Sequence, residues 1–496
     1  MMEFVLPDFR LATPEIFIAC AALFVLMVTS FKKQGARTAA FWLCEITLLG
    51  AFVLILGSGD VQRSLTFGGM YIADLFGSFL KLVVCLAVAI VLQYGRAYMA
   101  ARKIDTPEYY LMVLFATLGM FVLISASHFV SIYMGLELMS LSLYGLVASD
   151  RDNPRSTEAG MKYFVLGALA SGLLLYGMSM LYGATGSLEL HEIAQRIYDR
   201  SANDVVVAFG LVFVMVGVAF KLGVVPFHMW VPDVYHGAPT AVTLLVSSAP
   251  KIAAFAMAFR ILVLGLFDLA EQWQQMLMLL AVASIVLGNL AAVAQTNIKR
   301  MLAYSGISHM GFMLLGLLAG VVKGEGGTYA INAYSSAMFY TVAYVLMTLA
   351  SFGMVILLSR AGFEAENVDD FKGLNQRSPW FAGMMLIVMF SMAGIPFFVG
   401  FFAKLSVLQA VVAAGNVSGL SIYYWLAGVA VVMSAIGAFY YLRVVKVMYF
   451  DDALDNSPIE ASIGTRSVLS ANALLLAVIG LLPNSLMQIC AFTLLH

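Results

Sequence analysis

The sequence predicts an all-α protein that crosses a membrane many times. Of its 496 residues, 62% are hydrophobic and only 11% are charged, whereas an ordinary soluble domain carries about 25% charged residues. Apolar runs of roughly 20 residues, enough for a helix to cross about 30 Å of hydrocarbon, follow one another along the chain between short polar loops. We count about fourteen such runs, so the fold class is a polytopic membrane protein with about fourteen transmembrane helices.

Two of the apolar runs are too long and too interrupted for one straight helix. Residues 205–236 and 379–413 each exceed the length that a single span needs at about 1.5 Å rise per residue. A proline inside a helix removes a hydrogen bond, and in lipid the freed carbonyl groups must face protein or water. We therefore expect the seventh and twelfth helices to be discontinuous. The breaking residues are Gly223, Pro226 and Pro232 in the first run, and Gly394, Pro396 and Gly400 in the second.

Discontinuous helices at corresponding places predict two inverted repeats of five helices each. The chain then has four parts. They are residues 1–107 with helices 1–3, residues 108–265 with helices 4–8 as the first repeat, residues 274–446 with helices 9–13 as the second repeat, and residues 467–496 with helix 14.

Lysine and arginine residues in the loops predict the orientation, because they accumulate on the inner side of a membrane. With the N-terminus outside, most of them lie in inner loops, Lys33 and Arg360 among them. Few lie in outer loops, for example Lys323. We therefore expect both termini to lie outside.

Five charged residues are expected at comparable depth within the membrane. A lysine at the centre of a membrane helix costs about 2.5 to 3.5 kcal/mol on insertion scales, so several of them at comparable depth indicate a path for ions. Glu137 and Lys221 are expected to form a coupled pair that can switch, and a static ion pair that joins two helices is the alternative. The candidate relay residues are Glu137, Lys162, Lys221, Lys251 and Lys404.

Two further basic residues, Lys81 and Arg260, lie nearer to the ends of their runs. Long side chains at such positions can extend to the membrane surface, so we leave both out of the candidate site. His228, beside the first break, and His309, on the tenth helix, are candidate secondary relays. Imidazole suits that role because it exchanges protons near neutral pH.

The chain carries no motif for redox chemistry of its own. It has no phosphate-binding glycine loop, nicotinamide or flavin fingerprint, iron–sulfur cysteine run or haem motif, and its four cysteines are widely spaced. A formal net charge of -1 without long basic runs argues against nucleic acid as a partner. We therefore expect no bound cofactor, no metal and no nucleic acid.

Motifs along nearly the whole chain closely resemble one family. The stretches that carry the resemblance are LPDFRLATPEIFIA, IYMGLELMSLSLYGL, FKLGVVPFHMWVPDVYHGAPTAVTLLVSSAPK, NIKRMLAYSGISHMGF and AGIPFFVGFFAKL. In these motifs the chain is similar to the N-type antiporter-like subunits of the bacterial proton-pumping NADH:quinone oxidoreductase, respiratory complex I.

The resemblance implies fourteen helices, two inverted five-helix repeats with discontinuous seventh and twelfth helices, and a hydrated polar axis through the membrane centre. Carried over by motif, Glu137 is the acidic member of a pair and Lys221 is its partner. Lys251 is the central lysine, and Lys404 leads to the second half-channel. Lys162 matches a lysine that modulates the pair.

In the second repeat, the resemblance places Tyr304 and His309 on the same polar axis. The family implies a proton-translocating subunit without redox groups, in a complex that uses NADH and quinone elsewhere. The implied partners are other complex I subunits, especially antiporter-like subunit M and the small membrane subunits, together with the lipid bilayer and protons. The implied location is the bacterial inner membrane, with both termini on the periplasmic side.

Two other functions stay open at this point. A subunit of a multisubunit monovalent cation/proton antiporter needs the same buried charges but no electron-transfer partners. A scaffold subunit would use these charges only to hold helices together. Packing alone does not require broken helices that coincide with lysines, which argues against the scaffold.

Overall fold

A computed structural model of the chain describes residues 6–32, 34–58, 63–200, 202–322, 328–359, 362–453, 459 and 462–495. Lys33, Lys323 and Arg360, which contribute to the orientation expected from the sequence, lie outside these described residues. The orientation of the chain in the membrane therefore stays a prediction.

The described chain is almost entirely helical. A small antiparallel pair of strands, β1 (Ser64–Thr66) and β2 (Tyr71–Ala73), precedes the third helix. The helices are α1 (Thr13–Phe31), α2 (Ala36–Gly57), α3 (Leu75–Ala101), α4 (Pro107–Ile124), α5 (Phe129–Val147), α6 (Pro154–Thr185), α7 (Leu190–Tyr198), α8 (Asp204–Leu222), α9 (Trp230–Gly237), α10 (Thr240–Ser247), α11 (Ala249–Phe259), α12 (Ala270–Val293), α13 (Ile298–Leu318), α14 (Thr328–Leu358), α15 (Leu374–Arg377), α16 (Pro379–Ala393), α17 (Val399–Ser418), α18 (Ile422–Phe450), α19 (Ile463–Leu481) and α20 (Pro483–Leu495).

Fourteen helical segments of the described chain are long and apolar enough to cross a membrane. This number confirms the expectation from the apolar runs. Helices need no partner for their backbone groups, which is why such a chain can place this much backbone in lipid. The fold class is therefore an all-α polytopic membrane protein.

The seventh and twelfth spans are broken where the glycines predict. Helix α8 ends at Gly223 and helix α16 ends at Gly394, and both glycines have a left-handed backbone, with φ +74° and +85°. Side chains rarely tolerate this conformation, whereas glycine adopts it readily and ends helices with it. The chain resumes as α9 and as α17. Each break therefore leaves the last carbonyl groups of a helix inside the protein.

Two further breaks were not predicted from the sequence, although a proline follows each of them, Pro250 and Pro483. The eighth span divides at Ser248, whose φ of -113° and ψ of -97° are not helical, and after α11 it continues as a π-helix, Arg260–Gly265. The last span, expected as one helix over 467–490, divides at Leu482. Serine is not a strong helix breaker, so only the following Pro250 hinted at the first of these interruptions.

Glycines let the first two helices of each repeat pack closely against each other. Helix α4 crosses α5 so closely that a Cβ on Gly119 would lie 2.4 Å from a backbone nitrogen of α5, and one on Gly135 would lie 2.7 Å from a backbone nitrogen of α4. Helix α12 crosses α13 in the same manner at Gly288 and Gly311, where the nearest distances are 2.7 and 2.8 Å. Small residues let membrane helices approach this closely. The first two helices of each repeat therefore share one packing device.

The centre of the protein is formed by the eighth, tenth and eleventh spans. The most apolar stretches of the eighth span and of α14 are wholly buried by other helices, and that of α13 is nearly so. Helices α1, α2, α18 and α19 bury much less of their surface and form the outside. Polar side chains on the central helices are therefore shielded from lipid.

A loop between α14 and α15 ties the second repeat to earlier helices through Glu364. Its carboxylate forms an ion pair with Arg102 of α3 and accepts hydrogen bonds from Tyr98 of α3, at 2.8 Å, and from the hydroxyl of Thr240 at the start of α10. The Tyr98 hydroxyl in turn accepts a hydrogen bond from the Thr240 amide at 3.0 Å. This contact fixes the N-terminal helices and both repeats against one another.

A second carboxylate of this loop, Glu366, faces three other elements. His236 Nε2 of α9 lies 3.7 Å from its Oε2, and Arg155 Nη1 of α6 lies 3.6 Å from the same atom. The contact with His236, and the charges of Lys299 and Arg155, lower the pKa of Glu366 below its ordinary value although partial burial raises it. The loop therefore holds an ionised carboxylate between α6, α9 and α13.

Candidate functional site

Lys221 lies in the last turn of α8, just before the first break. Its ammonium is buried and donates hydrogen bonds to Ser140 Oγ at 2.6 Å and to the Tyr144 hydroxyl at 3.5 Å, both on α5. Glu137 lies one turn before Ser140 on the same face of α5. Its Oε1 is buried without a hydrogen-bond partner among the described residues.

The expected pair of Glu137 and Lys221 is therefore not a direct contact in this structure. Lys221 is held by hydroxyl groups one and two helical turns further along the face of α5 that carries Glu137. No ion pair joins the two side chains within the described chain. Sequence spacing placed both groups near one another but could not distinguish Glu137 from Ser140 as the partner.

Lys251 lies in the first turn after the break at Ser248. Its Nζ donates a hydrogen bond to the carbonyl oxygen of Leu222, the last residue of α8, at 2.8 Å, and lies 5.3 Å from the centre of the Trp230 ring. The side chain is 3% exposed. A cation at a helix C-terminus is stabilised by the free carbonyl groups and by the helix dipole. Lys251 therefore caps the C-terminus of α8, the first half of the first broken helix.

Lys404 does the same at the second break. Its Nζ donates hydrogen bonds to the carbonyl oxygens of Ala393 at 2.8 Å and Met392 at 3.2 Å, which end α16, and to Ser434 Oγ at 2.9 Å. The ammonium also lies 5.5 Å from the centre of the Phe312 ring. At each break, the last carbonyl groups of the helix thus bind a buried lysine of another helix, Lys251 of α11 for α8 and Lys404 of α17 for α16.

The glycine of each break stands directly against that lysine. A Cβ added to Gly223 would lie 3.2 Å from Lys251 Nζ, and one added to Gly394 would lie 3.2 Å from Lys404 Nζ. Both glycines are also the residues that need a positive φ. The absence of a side chain therefore lets the helix turn and lets the ammonium reach the carbonyl groups, at equivalent places in the two repeats.

Lys162 has a different environment from the other candidate lysines. Its side chain is 43% exposed and forms ion pairs with Glu158, one turn earlier on α6, and with Asp233 of α9, each at 2.8 Å. The second oxygen of Asp233 accepts from Arg300 of α13 at 2.9 Å. Lys162 therefore does not share the depth of the buried lysines. Sequence analysis missed Asp233, although it is the only carboxylate in the stretch WVPDVY after the break.

Lys162 and Asp233 also line a small polar pocket of about 130 Å³ together with Arg155, Glu158 and His236. A water molecule occupies about 30 Å³ in the liquid, so the pocket has room for a few. The pocket connects the exposed charges of α6 with the half-helix α9.

His309 lies on α13 and is almost fully buried. Its Nδ1 is 2.7 Å from the Tyr340 hydroxyl of α14, and its Nε2 is 3.1 Å from the Tyr441 hydroxyl of α18. Tyr441 also hydrogen-bonds to Ser305, one turn before His309. The structure thus places His309 in a chain of hydroxyl groups. Tyr340 and Tyr441 were missed, because a tyrosine in an apolar run has the same pattern whether or not it binds another residue.

The other two secondary candidates are less well connected. Tyr304 is partly buried, and its hydroxyl has no hydrogen bond to any residue that the structure describes. His228, in the first break, is partly buried, and its Nδ1 has no partner within the same described residues. His228 lies in the first break and Tyr304 lies on α13, and both are outside the hydroxyl chain of His309.

Aromatic rings fill the space between the buried lysines. Lys221 lies 5.6 Å from the ring centre of Tyr144, which contacts Tyr163 edge to face at 4.7 Å. Tyr163 is stacked on Trp230 at 4.5 Å, and Trp230 faces Lys251. A ring face attracts a cation. These rings therefore connect Lys221 to Lys251 through a series of contacts that favour positive charge.

The expectation for two other basic residues was wrong. Lys81 and Arg260 do not extend to the surface, since they are 4% and 1% exposed. Lys81 forms an ion pair with Glu15, and Arg260 forms one with Asp74 at 2.6 Å. Their partners lie 66 and 186 positions away in the chain, so neither pairing could be predicted from local sequence.

No group of three or more His, Cys, Asp or Glu side chains in the described residues is close enough together to hold a metal ion. The candidate site consists instead of lysines, hydroxyl groups, an imidazole and free helix carbonyl groups. Such groups bind and transfer protons.

Comparison with known proteins identifies the family. Residues 126–436 match the family model described as NADH:quinone oxidoreductase/Mrp antiporter, TM. The chain is 64% identical over 494 residues to the NADH-quinone oxidoreductase subunit N of Azoarcus sp. (strain BH72), and this match covers 100% of the chain and 99% of that protein. The chain belongs to the NADH-quinone oxidoreductase subunit N family.

Solved structures agree with this family. A chain of the respiratory complex I from Thermus thermophilus with bound aureothin superposes with a TM-score of 0.80 and 29% identity, covering 96% of this chain and 98% of that one. A chain of the Mrp complex from Dietzia sp. superposes with a TM-score of 0.82 at 19% identity, covering 98% and 97%. The second match shows a shared fold alone. Membership of the subunit N family therefore rests on sequence, and the fold is common to a wider group.

The matched region divides the charged residues of the chain into two sets. Glu137, Lys221, Lys251 and Lys404 all lie within residues 126–436, which the family model covers. The buried pairs of Glu15 with Lys81 and of Asp74 with Arg260 each have at least one member before it. The lysine axis thus belongs to the part that subunit N shares with the wider family, and the other pairs involve the N-terminal helices.

Proposed function

We propose that the chain is a proton-translocating membrane-arm subunit of NADH-quinone oxidoreductase and that it carries no redox group itself. Its relatives bear the name of that complex. In this role NADH oxidation and quinone reduction take place in neighbouring subunits and supply the free energy. The chain is a translocase component of the enzyme, located in the bacterial inner membrane.

The observation that carries the proposal is the environment of the three buried lysines. Lys221, Lys251 and Lys404 are bound by hydroxyl and carbonyl oxygens, and no carboxylate of the described residues forms an ion pair with any of them. The free energy of burying each ammonium is therefore not offset by an opposite charge in contact. Groups in this position can take up and release a proton when a nearby charge changes.

Glu137 is the group that we propose to change the charge around Lys221. Its unpartnered Oε1 is free to accept from an ammonium. If Lys221 moves from Ser140 towards Glu137, the ion pair holds the proton; when the lysine returns to the hydroxyl groups, the proton passes on. Lys251 is the next acceptor, followed by Lys404 in the second repeat, where His309 and its two tyrosines also lie.

Lys162, with Asp233, is proposed as the entrance on the cytoplasmic side, where the small polar pocket admits water. His228 and Tyr304 are proposed as secondary members of the relay beside the breaks. The remaining expectations from the resemblance stay part of this proposal. They are the four-part division at residues 1–107, 108–265, 274–446 and 467–496, both termini on the periplasmic side, and contact with subunit M and the small membrane subunits.

The experiment that tests the proposal replaces Lys221 by alanine in the intact complex. NADH-driven proton transport into inverted membrane vesicles is measured beside the amount of assembled complex. We expect transport to fall while assembly is kept, because no described residue forms an ion pair with Lys221 that its loss would leave uncompensated.

A matched control is Lys446→Ala. Lys446 is also a lysine on a long helix, but its side chain is 62% exposed and pairs with Asp451 near the helix end. This control should transport protons as the unmodified complex does. If Lys221→Ala transports protons as well as the control, the lysine axis is not the path.

A further inference from the structure

A second cluster of buried charges lies at the start of α3, outside the lysine axis. Lys81 forms an ion pair with Glu15 of α1, and both side chains are less than a tenth exposed. The Tyr71 hydroxyl joins them, since it accepts a hydrogen bond from Lys81 Nζ at 2.9 Å. Its own proton can be donated to Glu15 Oε2 at 3.1 Å or to the Leu11 carbonyl at 3.0 Å. These three residues form a short chain in the order lysine, tyrosine, carboxylate.

A second ion pair stands beside this chain. Asp74, the N-cap of α3, accepts hydrogen bonds from Arg260 Nη1 at 2.6 Å and Nη2 at 2.8 Å, and from the Gly77 amide at 2.8 Å. Arg260 also donates to the Ile124 carbonyl at 3.2 Å. Arg260 is the first residue of the π-helix that continues α11, and α11 also carries Lys251. A π-helical turn inside a helix is often found at functional sites.

A cavity among the described residues opens directly onto the cluster. Its volume is about 430 Å³, and Tyr71, Asp74 and Lys81 line it together with Ser78 and Arg10. A water molecule needs about 30 Å³ and two to four polar partners, so this space can hold many. Both neighbours of Glu15, the tyrosine and the lysine, therefore face a space that can hold water.

We propose that Glu15, Tyr71 and Lys81 form a second proton-exchange site of the protein, filled from the water in this cavity. The inference rests on the proposed function, since it assumes a protein that moves protons. Lys81 donates a proton to the Tyr71 oxygen while the Tyr71 hydroxyl gives its proton to the Glu15 carboxylate. A hydronium ion in the cavity then restores the Lys81 ammonium and leaves water. The net change is one proton bound, with Glu15 neutral and Lys81 charged.

Glu15 is the acceptor because Asp74 is held too firmly as an anion. Although burial raises the pKa of Asp74, the bidentate contact with Arg260 and the Gly77 amide together lower it below its ordinary value. Among the described residues, Glu15 has Lys81 and the Tyr71 hydroxyl as its partners. The titratable and charged groups of the described residues around Glu15 are Lys81, Tyr71, Asp74, Arg260 and the Cys85 thiol.

The site is separated from the lysine axis by aromatic rings. Phe76 lies against Phe259 at 4.7 Å and against Phe255 at 6.2 Å, between Arg260 and the turn of α11 that carries Lys251. Apolar rings do not conduct protons. Helix α11 carries Lys251 and its π-helical continuation begins with Arg260, so one continuous helical segment runs between the two sites.

The first test is the access of water to the cavity. Ser78→Cys places a thiol on the cavity wall, in a complex whose outward-facing Cys20 is replaced by serine. Ser351→Cys, on the fully buried α14, is the matched control. We expect a charged, membrane-impermeant thiol reagent to modify Ser78→Cys from one face of the membrane and to leave Ser351→Cys unmodified. Failure to modify Ser78→Cys from either face would overturn the proposal.

The second test separates a proton site from a structural ion pair. Glu15→Gln with Lys81→Met removes both charges, so neither is left unpaired, and the intact complex can be compared with the unmodified one. A proton site predicts loss of protons moved per NADH oxidised, with quinone reduction and assembly retained. A purely structural pair predicts an unchanged proton ratio, and this result would refute the proposal.

The results of these two tests can be distinguished from a failure of the proposed lysine relay. If Lys221→Ala has no effect, the relay fails whether or not Ser78→Cys is modified. If Lys221→Ala stops proton transport while the double variant keeps the full ratio, only the second site is rejected. Should the double variant not assemble, the thiol test alone decides.

Discussion

Replacing Gly223 by alanine tests the junction between the first break and Lys251. Gly223 has a φ of +74°, and a residue with a side chain loses roughly 1–2 kcal/mol in this left-handed conformation. The new methyl group would also lie 2.7 Å from Val231 Cγ2 and 3.2 Å from Lys251 Nζ. The ammonium must therefore move from its position 2.8 Å from the Leu222 carbonyl.

For proton transport, the displacement of the Lys251 ammonium matters more than the backbone strain at Gly223. A hydrogen bond from a charged donor contributes about 1.5–3 kcal/mol, so displacing Lys251 changes the distribution between its bound and displaced positions by a factor of roughly ten or more. We expect Gly223→Ala to lower NADH-driven proton transport strongly and to lower the stability of the complex by more than the roughly 1–2 kcal/mol that the left-handed backbone alone costs.

Gly419→Ala is the matched control, because it isolates backbone strain from contact with a lysine. Gly419 has a similar φ of +70°, but no atom lies within 4 Å of the position its Cβ would take. The control should lose about 1–2 kcal/mol of stability and keep its transport rate. Equal transport by the two variants, measured in the same vesicles at equal amounts of complex, would refute the role given to the junction.

Three further substitutions have defined outcomes. Asp233→Asn should weaken the contact of Lys162 with α9 and slow proton uptake in vesicles, while stability changes by about 0–1 kcal/mol because the pair is partly exposed. Tyr441→Phe leaves His309 Nε2 buried without its partner, which should lower stability by about 1–3 kcal/mol and reduce proton transport per NADH. Glu364→Gln should lower the thermal inactivation temperature of the complex without a specific loss of proton ratio, because it lies outside the relay.

The sequence allowed the fold class and the breaks to be predicted because both depend on local composition. Apolar runs determine which segments cross a membrane, and Gly223 and Gly394 end helices through their own backbone freedom. The interruption at Ser248 could not be predicted this way. The Ser248 amide donates to the Leu245 carbonyl and its carbonyl accepts from the Lys251 amide, and the local signal was Pro250, which a helix also accepts in its first turn.

The lysines of the candidate site could be found as well, since a charge inside an apolar run is conspicuous. Their partners could not. Lys221 binds Ser140 instead of Glu137, and Lys162 lies in an exposed cluster with Asp233. A shift of one or two helical turns between neighbouring helices changes which residues are in contact, and the relative position of separate helices cannot be predicted from the sequence.

Partners far apart in the chain were the hardest to predict. Arg260 was expected at the membrane surface because it lies near the end of an apolar run. Its side chain is instead buried and forms an ion pair with Asp74, which lies in a different part of the chain. The energy of that burial depends on the ion pair and not on the position in the run. Only the tertiary packing of α3 against the eighth span shows it.

The measurement that tests the central claim most directly is the number of protons moved per NADH oxidised by the purified complex in sealed vesicles, with Lys251→Met and Lys404→Met as separate variants. Methionine keeps the length of the side chain and removes the charge that closes each broken helix. The relay through these lysines predicts a lower proton ratio or a loss of coupled turnover in both variants. A normal ratio at a normal rate in either variant would contradict a path through that lysine.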